Sequence, residues 1–160
     1  MTHIEALYRE HGAALMDYLR RNRPAGDSAE DLLQETFLQA LRGADRLAEV
    51  ASPRAWLFGI ARNVARTAMR RRRSAALPEQ VVAPARQTDS VVEGMRESID
   101  QLPIAQREPL QLRIAYGLTY EEIATVLDIP LGTVRSRLHH AVRRLRDEMV
   151  EDISDPNGTT

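Results

Sequence analysis

Residues 118–146 read LTYEEIATVLDIPLGTVRSRLHHAVRRLR, and the fold class turns on this segment. Thr119 followed by Glu122 is the sequence form of a capping box, in which each side chain bonds the other's backbone N–H at a helix start. Ile123, Ala124 and Leu127 then recur at helical spacing. Asp128-Ile129-Pro130-Leu131-Gly132 reads as a short turn, because Pro and Gly punctuate it. A last helix follows, with Val134, Leu138, Ala141, Val142 and Leu145 on its inner stripe. Two short helices across a tight turn, the second of them basic, make the helix-turn-helix pattern. Ala124 is small where the two helices must approach, and Ile129, Val134 and Leu138 fill the angle between them. The outward face carries Arg135, Ser136, Arg137, His139, His140, Arg143 and Arg144. A helix fits the major groove, where Arg reads guanine bidentately and further cations hold phosphates. The alternative is an amphipathic helix whose arginines only face water; the capped helix and turn in front of it weigh against that.

Upstream the chain also reads helical. Ser90 with Glu93 opens a helix as a second capping box, striped by Val91, Val92, Met95, Ile99 and Leu102. A helix near 104–116 stops at Gly117. Residues 74–88, SAALPEQVVAPARQT, hold two prolines and no helical period, so they read as a linker. Before it, Ile4, Leu7, Tyr8, Leu15, Tyr18 and Leu19 stripe a first helix, and Pro24 and Gly26 break it. Ser28 with Asp31 starts a second, whose apolar face is Leu32, Leu33, Phe37, Ala40 and Leu41 and which ends at Gly43. Ser52-Pro53 starts a third, carrying Trp56, Leu57, Ile60, Ala61, Val64, Ala65, Ala68 and Met69. The expected fold is all-α: two small helical domains over 1–73 and 89–152, a flexible linker over 74–88 and a disordered tail over 153–160.

Charge points the same way. The 160 residues have a net charge of −1, with 22 Arg and no Lys. Residues 54–73 hold seven Arg and no acid, and residues 133–146 hold five Arg, two His and no acid. The other 126 residues carry ten Arg against 23 acids. Surfaces built only for solubility mix their signs; two basic segments on an acidic body suggest two contacts with a polyanion. In the third helix Arg62, Arg66 and Arg70 recur every four residues, and Arg71, Arg72 and Arg73 extend the stripe. Asn63 beside it can read a base edge, and Trp56 can stack on an unpaired base. Trp56 can equally be ordinary core and Asn63 a solvated polar residue. The second helix differs: Glu30, Asp31, Gln34, Glu35 and Gln39 form an acidic face that disfavours DNA and is either solvated or turned to a basic protein.

Other function classes fall away. With no cysteine there is no disulfide framework, thiolate nucleophile or Cys-based metal site. The histidines at 3, 11, 139 and 140 sit in no ligand pattern, so no metal or cofactor is expected. No apolar run approaches the roughly 20 residues that span a bilayer, and the N-terminus lacks a signal-peptide pattern. Membrane insertion is not expected, and a cytoplasmic location is.

These residues resemble a known family. AEDLLQETFLQALR (29–42) and PRAWLFGIARNVARTAMRRRR (53–73) are similar to region 2 of the extracytoplasmic-function (ECF) sigma factors. LPIAQREPLQLRIAYGLTYEEIATVLDIPLGTVRSRLHHAVRRLR (102–146) is similar to their region 4. The resemblance implies a non-enzymatic factor directing promoter-specific transcription initiation, with core RNA polymerase and promoter DNA as partners. It implies that Asp31, Gln34 and Glu35 grip a coiled coil of the polymerase. It places Arg54, Trp56, Arg62, Asn63, Arg66 and Arg70 at the −10 element, where a non-template base flips into a pocket near Asn63 and the loop before Trp56. It places Thr133, Arg135, Ser136, Arg137, His139, His140 and Arg143 at the −35 element. It further implies a stress or envelope response under an anti-sigma factor. The rival readings are a mimic that titrates such a factor and a simple helix-turn-helix repressor. Three positions depart from the family. Pro109 would kink a helix interior, so its helix is expected to start late. Asp128 replaces a turn glycine and tolerates the left-handed conformation. His139 and His140 replace aromatic residues or Arg, which predicts an altered −35 preference and DNA binding that strengthens below about pH 6.5.

Overall fold

The computed structural model describes residues 3–75 and 90–154, with side chains over 3–75 and 93–150. It falls into two compact units, residues 1–86 and 87–160. All regular structure among the described residues is helical. The expected linker lies outside the described residues from position 76 to its end.

The first unit packs three helices against one another: α1 (His3–Asn22), α2 (Ala29–Arg42) and α3 (Pro53–Ser74). Local chemistry sets their starts. Ser28 accepts the backbone N–H of Asp31 at 3.3 Å, and Ser52 accepts that of Ala55 at 3.1 Å ahead of Pro53. Each such cap contributes about 1 kcal/mol. Leu15, Leu19, Leu57 and Phe58 are essentially closed to water, and truncating any one to Ala costs about 2–5 kcal/mol. Tyr18 meets Phe58 edge-on at 5.6 Å between ring centres. Thr36 is buried on α2, its hydroxyl donating to the Leu32 carbonyl at 2.8 Å, the local bond that makes a buried threonine tolerable. A 3-10 helix, Ala44–Glu49, fills the connection after α2. It carries no buried residue and hence no periodic signal in the sequence.

Two residues assigned to apolar stripes face water instead. Tyr8 is 53% exposed, though its ring touches Phe37 at 4.9 Å, and Leu41 is 53% exposed. Each lies at the margin of its helix's apolar arc, where the neighbouring helices leave about half of the side chain open to water.

The second unit holds α4 (Ser90–Asp100), α5 (Ile104–Tyr116), α6 (Tyr120–Leu127) and α7 (Leu131–Ser154), with α5 and α6 both packed on α7. α4 includes Ser90 as a helical residue rather than as its cap; Ile99 and Leu102 are buried, Met95 is exposed, and the side chains of Val91 and Val92 lie outside the described set. Pro109 does not delay α5. The helix starts at Ile104 because the Pro103 carbonyl accepts the N–H groups of Gln106 and Arg107, both at 2.9 Å. Pro109 then sits in the helix interior, fully buried, and the ladder lacks the bond its N–H would have made to Ala105. Ala105 is exposed, so water can serve that carbonyl. Gly117 ends α5 in the left-handed conformation, φ +65°. The last helix begins at Leu131, so the turn is 128–130 and not 128–132: the Pro130 carbonyl already accepts from Thr133 and Val134. α7 also runs to Ser154, into the segment expected as tail; residues 155–160 lie outside the description.

Candidate nucleic-acid interfaces and a partner-facing helix

The helix-turn-helix is built from three local devices. Thr119 Oγ1 accepts the Glu122 N–H at 3.1 Å, and Glu122 Oε1 accepts the Thr119 N–H at 3.0 Å, completing the capping box of α6. Asp128 takes φ 54° and ψ 52°, the left-handed conformation expected of it. Its N–H bonds Thr125 at 3.3 Å while that of Ile129 bonds Ala124 at 3.1 Å, which closes α6 in a Schellman motif. Arg113 ties the α5–α6 connection, donating to the Leu118 carbonyl at 2.9 Å and lying 5.3 Å over the Tyr120 ring. Ile123, Val134, Leu138 and Ala141 are buried in the angle between the helices.

That packing turns one face of α7 outward. Arg135, Ser136, His139, His140 and Arg143 are exposed and, at about 100° per residue, share an arc of roughly 140°. The two imidazole rings lie 5.9 Å apart, edge to face. Thr133 and Arg137 are half-buried at the margins of this arc. Arg144 leans toward Glu148, 4.0 Å away. Val142, expected on the inner stripe, is exposed, and Leu145 is half-buried.

α3 presents the second basic face. Leu57, Phe58, Ala61, Val64, Ala65 and Ala68 are buried on one side. Asn63, Arg66 and Arg70 are exposed opposite them, with Trp56 half-buried alongside. Arg54 and Arg62 are half-buried and not free of partners within the protein. The structure therefore brings Trp56, Arg62, Asn63, Arg66 and Arg70 onto one arc of roughly 120°. It takes Arg72 off that stripe. A step of 100° per residue fans the run Arg70–Arg73 around the helix, and Arg72 comes out on the Ala65–Ala68 side, where it pairs with Asp27 at 2.7 Å.

α2 is a ridge between two grooves. Asp31 and Glu35 line a cleft against α3, facing Thr67 and Arg71. Gln34 lies on the other flank, in a groove of about 420 Å³ walled by Tyr8, Met16, Phe37, Leu38 and Leu41. The three residues expected to grip a protein thus straddle the crest. Glu30 opens the helix with its carboxyl held below its usual value by a backbone N–H bond, the Ser28 hydroxyl and Arg20. The sequence reading missed Tyr8, Leu38 and Leu41 as a surface. The signal is the width of the apolar arc of α2, roughly 240° from Leu32 to Leu38, more than two neighbouring helices can cover.

Two basic faces on two helical units, one of them a helix-turn-helix, define a DNA-binding transcription factor. The sigma-70 region 2 profile matches residues 7–75, and the sigma-70 region 4 profile matches residues 93–145. The chain is 37% identical over 153 residues to the ECF RNA polymerase sigma factor SigL of Mycobacterium tuberculosis, covering 89% of this chain and 86% of SigL. It is 38% identical over 142 residues to SigC of the same species, covering 83% and 74%. Among solved structures it is similar to CnrH in complex with the cytosolic domain of CnrY, with a TM-score of 0.67 and 26% identity over 93% of this chain and 88% of that one. It is likewise similar to the sigma factor RpoE in complex with the anti-sigma factor NepR from Bartonella quintana, with a TM-score of 0.66 and 28% identity over 88% and 94%. The chain belongs to the ECF sigma factors of the sigma-70 family. Among the described residues, no helix is long and apolar enough to cross a membrane.

Proposed function

We infer that this chain directs core RNA polymerase to promoters, recognising the −35 element through α7 and opening and reading the −10 element through α3. The observation that carries the reading is the division of surfaces within each unit: in the first, a basic face on α3 and an α2 ridge with Asp31 and Glu35 on one flank and an apolar groove on the other; in the second, the basic face of α7. In this reading Thr133, Arg135, Ser136, Arg137, His139, His140 and Arg143 meet the −35 duplex, where Arg supplies guanine readout and phosphate contact. Arg54, Arg62, Arg66 and Arg70 hold phosphates of the −10 element, and Asn63 and Trp56 address its unpaired bases. Asp31, Gln34 and Glu35 hold the polymerase. The domains run 1–73 and 89–152 about a linker at 74–88. The chain acts in the cytoplasm, without a cofactor and without chemistry of its own, since nucleotidyl transfer belongs to the polymerase.

Two similar structures support regulation by a protein partner: RpoE is in complex with the anti-sigma factor NepR, and CnrH with the cytosolic domain of CnrY. A comparable inhibitory partner is expected here, in a stress or envelope response.

The test is binding to core RNA polymerase, wild type against Asp31→Arg combined with Gln34→Ala. Tight binding that the double variant loses is the expected result. A wild-type chain that binds duplex DNA but no polymerase would turn the reading toward a repressor or a titrating mimic.

A further inference from the structure

The four arginines 70–73 look equivalent in the sequence and are not. Arg72 donates to Asp27 Oδ1 twice, from Nη2 at 2.7 Å and from Nε at 3.2 Å, across 45 residues of chain. The pair is sheltered: the side chains are 30% and 27% exposed. The loop holding Asp27 is shaped around the guanidinium. The Asp27 N–H bonds the Pro24 carbonyl at 3.2 Å, and the Asp27 carbonyl accepts Arg23 Nη1 at 2.6 Å. Gly26 takes φ +90°, and a Cβ there would come within 2.8 Å of Arg72 Nη2. The next residue, Ser28, is the N-cap of α2. One corner thus joins the end of α1, the start of α2 and the last turns of α3.

The last turn of α3 needs such a tether. Beyond Met69 the helix reads Arg-Arg-Arg-Arg-Ser, with no apolar side chain to pack. Helix ends that lack packing fray, because their final carbonyls have no helical partner. Arg66 and Arg70, exposed cations of the outward face, lie about two turns and one turn before this end. An arginine already matched by a carboxylate also adds little to the counterion release that drives phosphate binding.

We propose that Asp27 and Arg72 form a clasp that fixes the basic face of α3 relative to α2, and that Arg72 is a positioning residue for promoter opening rather than a DNA contact. This rests on the reading of α3 as the −10 face and α2 as the polymerase-facing helix. The clasp makes the polymerase grip and the strand-reading face one rigid body at that corner.

The test uses the full chain with core polymerase from its own bacterium. Asp27→Ala, Arg72→Ala, the double variant and Arg72→Lys are compared for polymerase affinity, for the rate of promoter opening, and for the salt dependence of promoter binding. Both single variants are expected to slow opening about tenfold, and the double variant no further, as residues acting as one unit require. Arg72→Lys recovers part of the rate, since an ammonium keeps the charge but not the two-donor geometry. Polymerase affinity stays within about twofold and the salt slope is unchanged, the signature of a group outside the phosphate contacts. A drop of about one in the slope for Arg72→Ala, with binding unchanged or tighter for Asp27→Ala, would make Arg72 a phosphate contact and overturn the proposal. Equal loss of polymerase affinity and opening in both single variants would reduce the pair to general stability and overturn it too, as would variants that open like wild type. A wild type that binds no polymerase sinks the underlying reading and the clasp with it.

Discussion

Gly43 takes φ −97°, a conformation open to any residue, so backbone freedom does not explain it. Space does: a Cβ there would stand 3.2 Å from Cζ2 of Trp56. The chain has one tryptophan, so indole emission comes from Trp56 alone. Gly43→Val should push the indole outward, shift its emission to the red and weaken binding of single-stranded −10 DNA. Trp56→Ala should cost about 1–3 kcal/mol in the same binding assay, the usual worth of base stacking on an aromatic ring. At Asp128 the left-handed backbone sets the rule. Asp128→Val should lower stability in urea by about 1–2 kcal/mol, while Asp128→Gly should be tolerated. His139 and His140 lie on the face that meets DNA phosphates in the proposed complex. Replacing both by Gln should change which −35 sequences bind best, read as relative affinities over a set of −35 duplexes.

The starts of α2, α3 and α6 were legible in the sequence because their causes are local. Ser28, Ser52 and the Thr119–Glu122 box each act within three residues, and all three cap their helices. Thr119→Ala should cost about 1 kcal/mol in thermal unfolding, and adding Glu122→Ala should cost less than the sum of the single losses, since the two bonds are reciprocal. What depends on a partner distant in sequence was not legible. Nothing near Arg72 announces Asp27, although its offset of four from Ala68 already places it on the inner face. The 3-10 helix has no period to read, and Pro109 was misjudged because the fixed start at Pro103 outweighs one missing bond. Of the candidate site, the outward basic arcs followed from helical spacing alone; the division of α2 into an acidic and an apolar flank required knowing where α1 and α3 lie.

At the scale of the whole molecule, segregated charge divides the expected binding by mechanism. Contacts to DNA release counterions, so log affinity should fall with log salt by about 0.9 per phosphate neutralised. Arg135→Ala or Arg66→Ala should each lower that slope by about one, measured by fluorescence anisotropy across a salt series. The groove beside α1 obeys a different law. Tyr8, Leu38 and Leu41 stand 53%, 47% and 53% exposed along it, too apolar to be indifferent to water. Whatever covers them frees the water at their surface, and that release carries a negative heat capacity. Its driving force fades on cooling. A protein that takes hold of this groove will therefore let go more readily in the cold, and the share of copies standing idle will follow the thermometer as well as the supply of partners.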